Sequence, residues 1–103
     1  MQKVKVTKWN KKTKPDLVEL KKKLISQGLD PYVFESYHGE YYSEHVHEHD
    51  EIRIVIEGEM TFGADGKEIT LQEGDKLELL KGTVHWAENR GKKRAVLLSA
   101  SKY

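Results

Sequence analysis

The sequence predicts an all-β fold that carries one short helix near its N terminus. Apolar residues recur at helical spacing in residues 13–28, and from Leu29 onward the pattern changes to short segments rich in strand-forming residues. A turn signal centred on Asp65-Gly66 separates two of these segments in the manner of a hairpin. Frequent short strands with turns between them are typical of a β-sandwich or β-barrel.

The N-terminal segment is predicted to begin with an edge strand. The chain of 103 residues suits one domain, in which we expect residues 1–30 to form a strand and the helix and residues 31–103 to form the barrel. Residues 3–9 alternate in polarity, with Val4 and Val6 on one side and lysines on the other. Lysines placed in this way protect an exposed sheet edge.

The helix is predicted between residues 13 and 28. Thr13 is the expected N-cap, with Asp16 three residues further on at capping-box spacing, and Gly28 is the expected stop. We expect a stripe of leucines to pack on the outside of a sheet rather than to line a cofactor site: Leu17, Leu20 and Leu24. Further strands are predicted over residues 32–37, 41–47, 52–56, 60–63, 67–71, 76–80, 83–88 and 94–99.

The composition argues against several classes of function. The formal net charge is +1 with neutral histidines, so no overall field favours nucleic acid, and we expect no nucleic-acid partner. The absence of cysteine excludes disulfides, thiolate nucleophiles and thiolate metal sites. No apolar run approaches membrane-spanning length, and the N terminus lacks an apolar signal core. We therefore expect a cytoplasmic protein without a membrane partner.

Histidines and a glutamate stand at metal-ligand spacing in the middle of the chain. His45 and His47 would project from the same face of a strand, and Glu51 follows after a polar stretch suited to a turn. A hairpin would bring the Glu51 carboxylate back against the two imidazoles, and such donors suit a divalent first-row metal. His85, the one histidine in the second half of the chain, is available as a fourth ligand.

Two stretches of the chain together resemble the motifs of the cupin family. The first motif, G-x5-H-x-H-x3-E-x6-G, is matched by Gly39, His45, His47, Glu51 and Gly58. The second, G-x5-P-x-G-x2-H-x3-N, is matched by Gly74, Gly82, His85 and Asn89, whereas Leu80 stands where the proline usually is. The resemblance implies a single cupin domain, a double-stranded β-helix or jelly-roll barrel. It also implies that His45, His47, Glu51 and His85 bind Fe, Ni, Mn or Zn, a choice that the ligand types leave open.

Arg53 is the most informative residue outside the predicted ligands. It shares strand parity with Glu51, so we expect its side chain to enter the same cavity. The run His-x-His-x3-Glu-Ile-Arg, followed by Glu57-Gly58, is also similar to the metal site of acireductone dioxygenases, a cupin branch. That likeness implies an arginine that holds substrate oxygens beside the metal. An Arg53–Glu pair that only fills the barrel is the alternative.

Strand parity assigns the aromatic residues near the histidines to opposite sides. Tyr41 and Ser43 share parity with His45 and are expected at the mouth of the cavity, which makes Tyr41, with Arg53, a candidate catalytic residue. Trp86 has the opposite parity to His85 and should face away from the metal.

Two histidines are not expected to bind the metal. His49 falls in the predicted turn, at a position that the motif does not fix, and we expect it to face solvent. His38 has no partner at metal-ligand spacing and is expected on the surface or in a loop.

Two classes of function remain open from the sequence. One is a metal-dependent enzyme, dioxygenase- or isomerase-like, that acts on a small oxygenated molecule. The other is a non-catalytic small-ligand binding or sensor cupin with a structural metal. A homodimer is expected in either case, because association would hide the exposed strand edges of a small barrel, with residues 3–9 at the contact.

Overall fold

The structure is a computed structural model that describes residues 3–102. Two antiparallel sheets face each other, and the described residues include one helix, which confirms the predicted fold class. The elements are β1 (Val4–Thr7), α1 (Leu17–Ser26), β2 (Tyr32–Ser36), β3 (Tyr41–His45), β4 (Asp50–Glu57), β5 (Met60–Ala64), β6 (Lys67–Leu71), β7 (Lys76–Leu79), β8 (His85–Glu88) and β9 (Ala95–Lys102). Within the described part of the chain, no helix is both long enough and apolar enough to cross a bilayer.

The main core lies between the two sheets. One sheet has five strands in the order β1-β7-β4-β9-β2, and the other has four in the order β3-β8-β5-β6. Their facing side chains form one buried cluster that includes Val55, Met60, Phe62, Leu77 and Leu97. Three residues of this cluster also line a cavity with the histidines at the end of β3 and the start of β8: Met60, Phe62 and Leu97.

The helix covers the outer face of the five-stranded sheet, as the leucine stripe predicted. Leu24 is buried, and Leu17 and Leu20 pack on the same cluster. The cluster is completed by side chains from β4 and β9: Ile52, Ile54, Ile56, Val96, Leu98 and Ala100. A second apolar layer therefore fixes β4, the strand that carries Glu51, from behind.

The helix begins later than predicted. Its N-cap is Asp16, whose Oδ1 accepts from the backbone N–H groups of Val18 and Glu19 at 2.9 and 3.2 Å. Thr13 lies outside the helix. The physical reason is Pro15, which disfavours the helical conformation in the residue before it, so the helix starts only after the proline.

The edge strand and the hairpin agree with the sequence. β1 stands at the end of its sheet and pairs with β7, with Val4 and Val6 partly buried and Lys5 exposed. β5 and β6 pair across Asp65-Gly66, whose φ angles of 53° and 73° are those of a tight hairpin turn.

The strand that carries the histidine pair is shorter and less regular than predicted. β3 ends at His45, so His47 lies two residues beyond the strand. Tyr42 pairs with Ala87 and His45 pairs with His85, so β3 advances three residues while β8 advances two. This register shift is a β-bulge, and it alters which side chains of β3 face the interior.

Candidate metal centre

Three of the four predicted ligands come together at one point. His45, at the end of β3, pairs directly with His85, at the start of β8, and His47 follows β3. One ring nitrogen of each histidine lies within 4.8 Å of those of the other two. The ring centroids are 4.3 Å apart for His45 and His85, 5.0 Å for His45 and His47, and 5.2 Å for His47 and His85.

Backbone carbonyls orient two of these imidazoles. Nδ1 of His45 lies 2.7 Å from the Ser43 carbonyl oxygen, and Nδ1 of His85 lies 3.0 Å from that of Thr83. Because a carbonyl only accepts, each Nδ1 must carry the proton, and each Nε2 keeps its lone pair. Such a hydrogen bond is the usual way in which a protein fixes the tautomer of a metal-binding histidine.

The residues fit a divalent transition metal. Nε2 of His47 is buried and has no hydrogen-bond partner among the described residues. Burial lowers the pKa of His47, although attraction to Glu51 opposes it, and burial also lowers the pKa of His85, which the Thr83 carbonyl raises in part. Both rings are therefore neutral near neutral pH, which is the form that binds metal.

Glu51 lies beside this group rather than inside it. Its carboxylate is 3% exposed, and Oε2 accepts from the Ser101 hydroxyl at 2.6 Å. Oε1 lies 2.9 Å from Nη2 of Arg53, in an ion pair. Burial raises the pKa of Glu51, but the bond from Ser101 and the charge and hydrogen bond of Arg53 outweigh it, so the pKa is lowered overall.

His49 does not face solvent as the turn position predicted. Its side chain is 27% exposed, and Nε2 lies 2.8 Å from Oε2 of Glu51. The physical reason is that a buried carboxylate needs partners, and His49 shares the alternation of His47 and Glu51. That shared parity, at every second residue, was the signal in the sequence for this contact. His47, His49 and Glu51 form a second group whose donor atoms lie within 4.8 Å of one another.

A cavity of 180 Å³ adjoins the three histidines. Arg53 lines it, as parity predicted, while its Nη1 donates to the Ile52 carbonyl at 3.0 Å. The ion pair with a glutamate, one of the two alternatives for Arg53, is present. Much of the remaining lining is apolar and aromatic: Tyr32, Phe34, Tyr42, Met60, Phe62, Ala87 and Leu97.

Tyr42, not Tyr41, lines this cavity. Tyr41 is 56% exposed and lies against Trp86, with ring centroids 6.0 Å apart, and Ser43 is exposed as well. The expectation that Tyr41 and Ser43 line the mouth is wrong, because the bulge between Tyr42 and His45 reverses the parity counted from His45. No local signal in the sequence marks this bulge.

The predictions for Trp86 and His38 agree with the structure. Trp86 packs on Gly63, where an added Cβ would come within 2.0 Å of the indole, and is not among the residues that line the cavity. His38 is exposed, and its Nδ1 lies 2.6 Å from the Gly91 carbonyl oxygen.

Comparison with known proteins gives a family and several similar folds. The cupin domain model matches residues 32–101. An uncharacterised protein with a double-stranded β-helix domain from Klebsiella pneumoniae is 29% identical, with a TM-score of 0.62, over 69% of this chain and 64% of that one. The DMSP lyase DddQ from Ruegeria pomeroyi is 26% identical, with a TM-score of 0.67, over 73% of this chain and 38% of that one. No curated protein matches the sequence.

A third structure shows the fold at lower identity. A cupin superfamily protein from Desulfitobacterium hafniense is 19% identical, with a TM-score of 0.63, over 95% of this chain and 75% of that one. The narrower likeness of the metal-site run to acireductone dioxygenases stays a prediction. Because the family model spans more than half of the sequence and the two sheets match solved cupin structures, the chain belongs to the cupin family.

Proposed function

We propose that this cupin binds a divalent transition metal through His45, His47 and His85, with Glu51 as the fourth ligand, and acts on a small anionic molecule that carries oxygen donors. The observation that supports this most directly is the three histidines whose nitrogens converge within 4.8 Å beside a cavity. When bound, the metal would supply a Lewis acid and a template for ligand oxygens. The ligand types suit Fe, Ni, Mn or Zn.

The cavity supports a small ligand. Its volume of 180 Å³ is below the range of about 300–1,000 Å³ that is typical of sites for drug-sized molecules. Apolar side chains such as Phe62 and Leu97 would exclude water from the ligand. Arg53 uses two of its N–H groups on Glu51 and Ile52, and the guanidinium has five donors, so it retains donors for an anionic oxygen.

The non-catalytic alternative is supported by one observation on Tyr42. Turnover requires a group that moves a proton near the ligand. Tyr42 is one of two phenols on the cavity wall, but its hydroxyl donates to Ser36 Oγ at 3.2 Å. Burial raises the pKa of this phenol further, so it is a poor proton donor near neutral pH. A binding or sensor module with a structural metal is therefore the second candidate.

Metal analysis tests the site itself. We expect His85→Ala to weaken metal binding by more than the roughly 10- to 100-fold that second-shell changes cost, because it removes a direct ligand. The measurement is elemental analysis of purified protein after dialysis against limiting metal. His38→Ala is the matched control, since His38 is exposed and bonds to Gly91. Full metal content in His85→Ala would exclude the proposed site.

A ligand screen separates the two candidate functions. Metal-loaded protein would be incubated with small hydroxy, keto and dicarboxylic acids, and the mixtures would be followed by NMR and by thermal shift. Consumption of a compound supports the enzyme, and a raised melting temperature with unchanged compound supports the binding module. If none of these acids is consumed or raises the melting temperature, while apolar molecules of similar size do raise it, the proposed oxygenated ligand is wrong.

The cytoplasmic location stays a prediction from the sequence.

We propose that the protein is a homodimer. β1 supports the dimer, because it stands at the end of the five-stranded sheet and pairs with β7 on one side. An unpaired edge is a template for a second chain.

A further inference from the structure

A second cavity lies on the outer face of the five-stranded sheet. It lies between the helix, residues 8–14 and the strands β1, β7 and β4. The helix packs over β4 and β9, where Leu24 belongs to one cluster with Ile54 and Leu98, and this leaves space beside it over β7. The volume of 520 Å³ lies within the range of about 300–1,000 Å³ that is typical of sites for small molecules. The cavity is therefore large enough for a ligand of its own.

Three neighbouring strands form the floor of this cavity. Lys76 on β7 is the direct partner of Thr7 on β1 and of Ile54 on β4, so the three side chains share the outer face of the sheet. Leu20 and Leu24 add apolar surface from the helix. An apolar group could therefore pack against Ile54 and the two leucines, with the Lys76 ammonium close by.

Trp9 lines the cavity from the side of residues 8–14, and its neighbours hold the indole in place. Its backbone N–H donates to Oδ1 of the buried Asp75 at 2.9 Å, and its Nε1 donates to the Thr13 carbonyl at 2.8 Å. The ring lies directly on Gly74, where an added Cβ would come within 2.1 Å of the indole Cγ. This wall is therefore formed before any ligand arrives, which lowers the entropic cost of binding.

The charges around the cavity favour an anionic ligand. Five lysines line it, against the two carboxylates of Asp16 and Glu19: Lys8, Lys11, Lys14, Lys23 and Lys76. Oδ1 of Asp16 already accepts from two N–H groups at the start of the helix. Lys8 is paired with Asp75, whereas Lys76 is half-buried and forms no ion pair with any residue that the structure describes. A partly buried cation without a counter-charge in the chain favours a bound anion.

We propose that this outer cavity binds a small molecule that joins an anionic group to an apolar body. The anionic group, a carboxylate, sulfonate or phosphate, lies beside Lys76, and the apolar body packs between Trp9 and the leucines of the helix. Lys14 and Lys23 add positive potential that attracts the ligand. The inference does not depend on the proposed metal site, because the two cavities share no lining residue.

The test uses a pair of fluorescent probes that differ in charge. Anilinonaphthalene sulfonate joins an aromatic body to one sulfonate, and phenylnaphthylamine is the matching neutral compound. Fluorescence titration of the folded protein should give one site per chain for the sulfonate. We expect Lys76→Glu to weaken binding of the sulfonate by at least about tenfold, because repulsion replaces attraction, and to leave binding of the neutral amine unchanged.

Two further variants separate the local charge from net charge and from folding. Lys67→Glu is the matched control, because it makes the same change of charge on β6 of the other sheet and should bind the sulfonate as the wild type does. Lys76→Met keeps an unbranched side chain and should still lose about threefold, even if Lys76→Glu fails to fold. Circular dichroism checks each fold. Unchanged sulfonate binding in both Lys76 variants, or an equal loss in Lys67→Glu, would overturn the inference.

Two-dimensional NMR locates the bound probe. The chain has two tryptophans, whose indole N–H groups give separate signals. Trp9 lines the outer cavity whereas Trp86 packs on Gly63 of the other sheet, so the sulfonate should shift the Trp9 signal alone. His85→Ala should leave sulfonate binding unchanged, which separates this result from the metal test. A shift of the Trp86 signal without that of Trp9, or loss of binding in His85→Ala, would place the probe elsewhere and overturn the inference.

Discussion

At the scale of single residues, the buried ion pair between Arg53 and Glu51 contributes to the stability of the interior. The two side chains are 13% and 3% exposed, and their atoms lie 2.9 Å apart. Removing one partner of a buried pair leaves the other charge uncompensated, and this costs more than the pair itself contributes. Arg53 therefore has a structural role whether or not it also binds a ligand.

Arg53→Met is predicted to destabilise the metal-free protein by about 3 kcal/mol, the lower end of the range for buried pairs. The lower end is expected because Ser101 still donates to Glu51. The measurement is urea unfolding, and the control is Arg53→Met combined with Glu51→Gln, which should lose less than the sum of the two single changes. A purely additive double variant would show that the pair does not couple.

A second buried carboxylate gives a prediction that depends on pH. Asp75 is 4% exposed and accepts from the backbone N–H groups of Trp9 and Gln72, both at 2.9 Å, and from Lys8 at 3.3 Å. Burial raises the pKa of Asp75, but these hydrogen bonds and the Lys8 charge outweigh it and lower the pKa overall. The stability that Asp75 provides is thus present above its unfolded pKa and is lost as the pH falls through the folded one.

Asp75→Asn is therefore predicted to cost about 1.5–3 kcal/mol at pH 7, the value of hydrogen bonds to a charged group. Its difference from the wild type should begin to shrink below about pH 4, the usual pKa of an unfolded aspartate, and should disappear only as the pH falls through the lowered folded pKa. Urea unfolding from pH 7 to pH 3 measures both values. A difference that stays constant over this range would exclude the charge of Asp75 as the cause.

At the scale of elements, the structure explains why leucine at position 80, the one departure from the cupin motifs, is favourable in this chain. The proline that usually stands there has no N–H group. The Leu80 N–H donates to the Lys3 carbonyl at 2.9 Å, and this bond extends the pairing of β1 with β7. The leucine therefore contributes to holding the N-terminal strand on the sheet.

Leu80→Pro is predicted to weaken the protein by about 1 kcal/mol, although it restores the family residue, because the Lys3 carbonyl loses its donor. Hydrogen exchange should show faster opening confined to β1. Leu80→Ala is the control and keeps the N–H group. Unchanged protection of β1 in Leu80→Pro would contradict this account.

Elements with a regular periodicity and residues at fixed motif spacings could be predicted from the sequence. The leucine stripe of α1, the Asp65-Gly66 hairpin and the edge strand β1 each follow a local rule, and the structure agrees with all three. The N-cap was misplaced because the restriction before Pro15 outweighed the capping-box spacing.

Site residues were harder to predict because their orientation depends on pairing partners that are remote in the chain. The meeting of His45 with His85 was expected from the motif. The exposure of Tyr41 was not, because the register shift arises only when β3 pairs with β8. His49 was misjudged because its position in a turn was given more weight than its parity with Glu51, whose burial calls for a partner.

For the whole molecule, the predicted dimer depends on the edge of one sheet. Multi-angle light scattering over a wide concentration range should give a mass of two chains, since an exposed β1 edge can pair with its copy. Because Lys3 and Leu80 form a hydrogen-bonded pair, the alternation of the ladder turns the N–H groups of Val4 and Val6 toward the free edge. Val6→Pro should therefore weaken such pairing more than Val6→Ala. A single-chain mass at the highest concentration would refute the dimer.

The bulge in β3 has a consequence for comparing this protein with its relatives. Because β3 uses three residues where β8 uses two, Tyr42 and His45 face the same cavity although they are three positions apart. In a relative with a regular strand, the equivalent aromatic would stand two residues before the first histidine instead of three. An alignment must open a one-residue gap between these positions. Without that gap, Tyr41 and Ser43 would be compared with cavity residues that neither of them replaces.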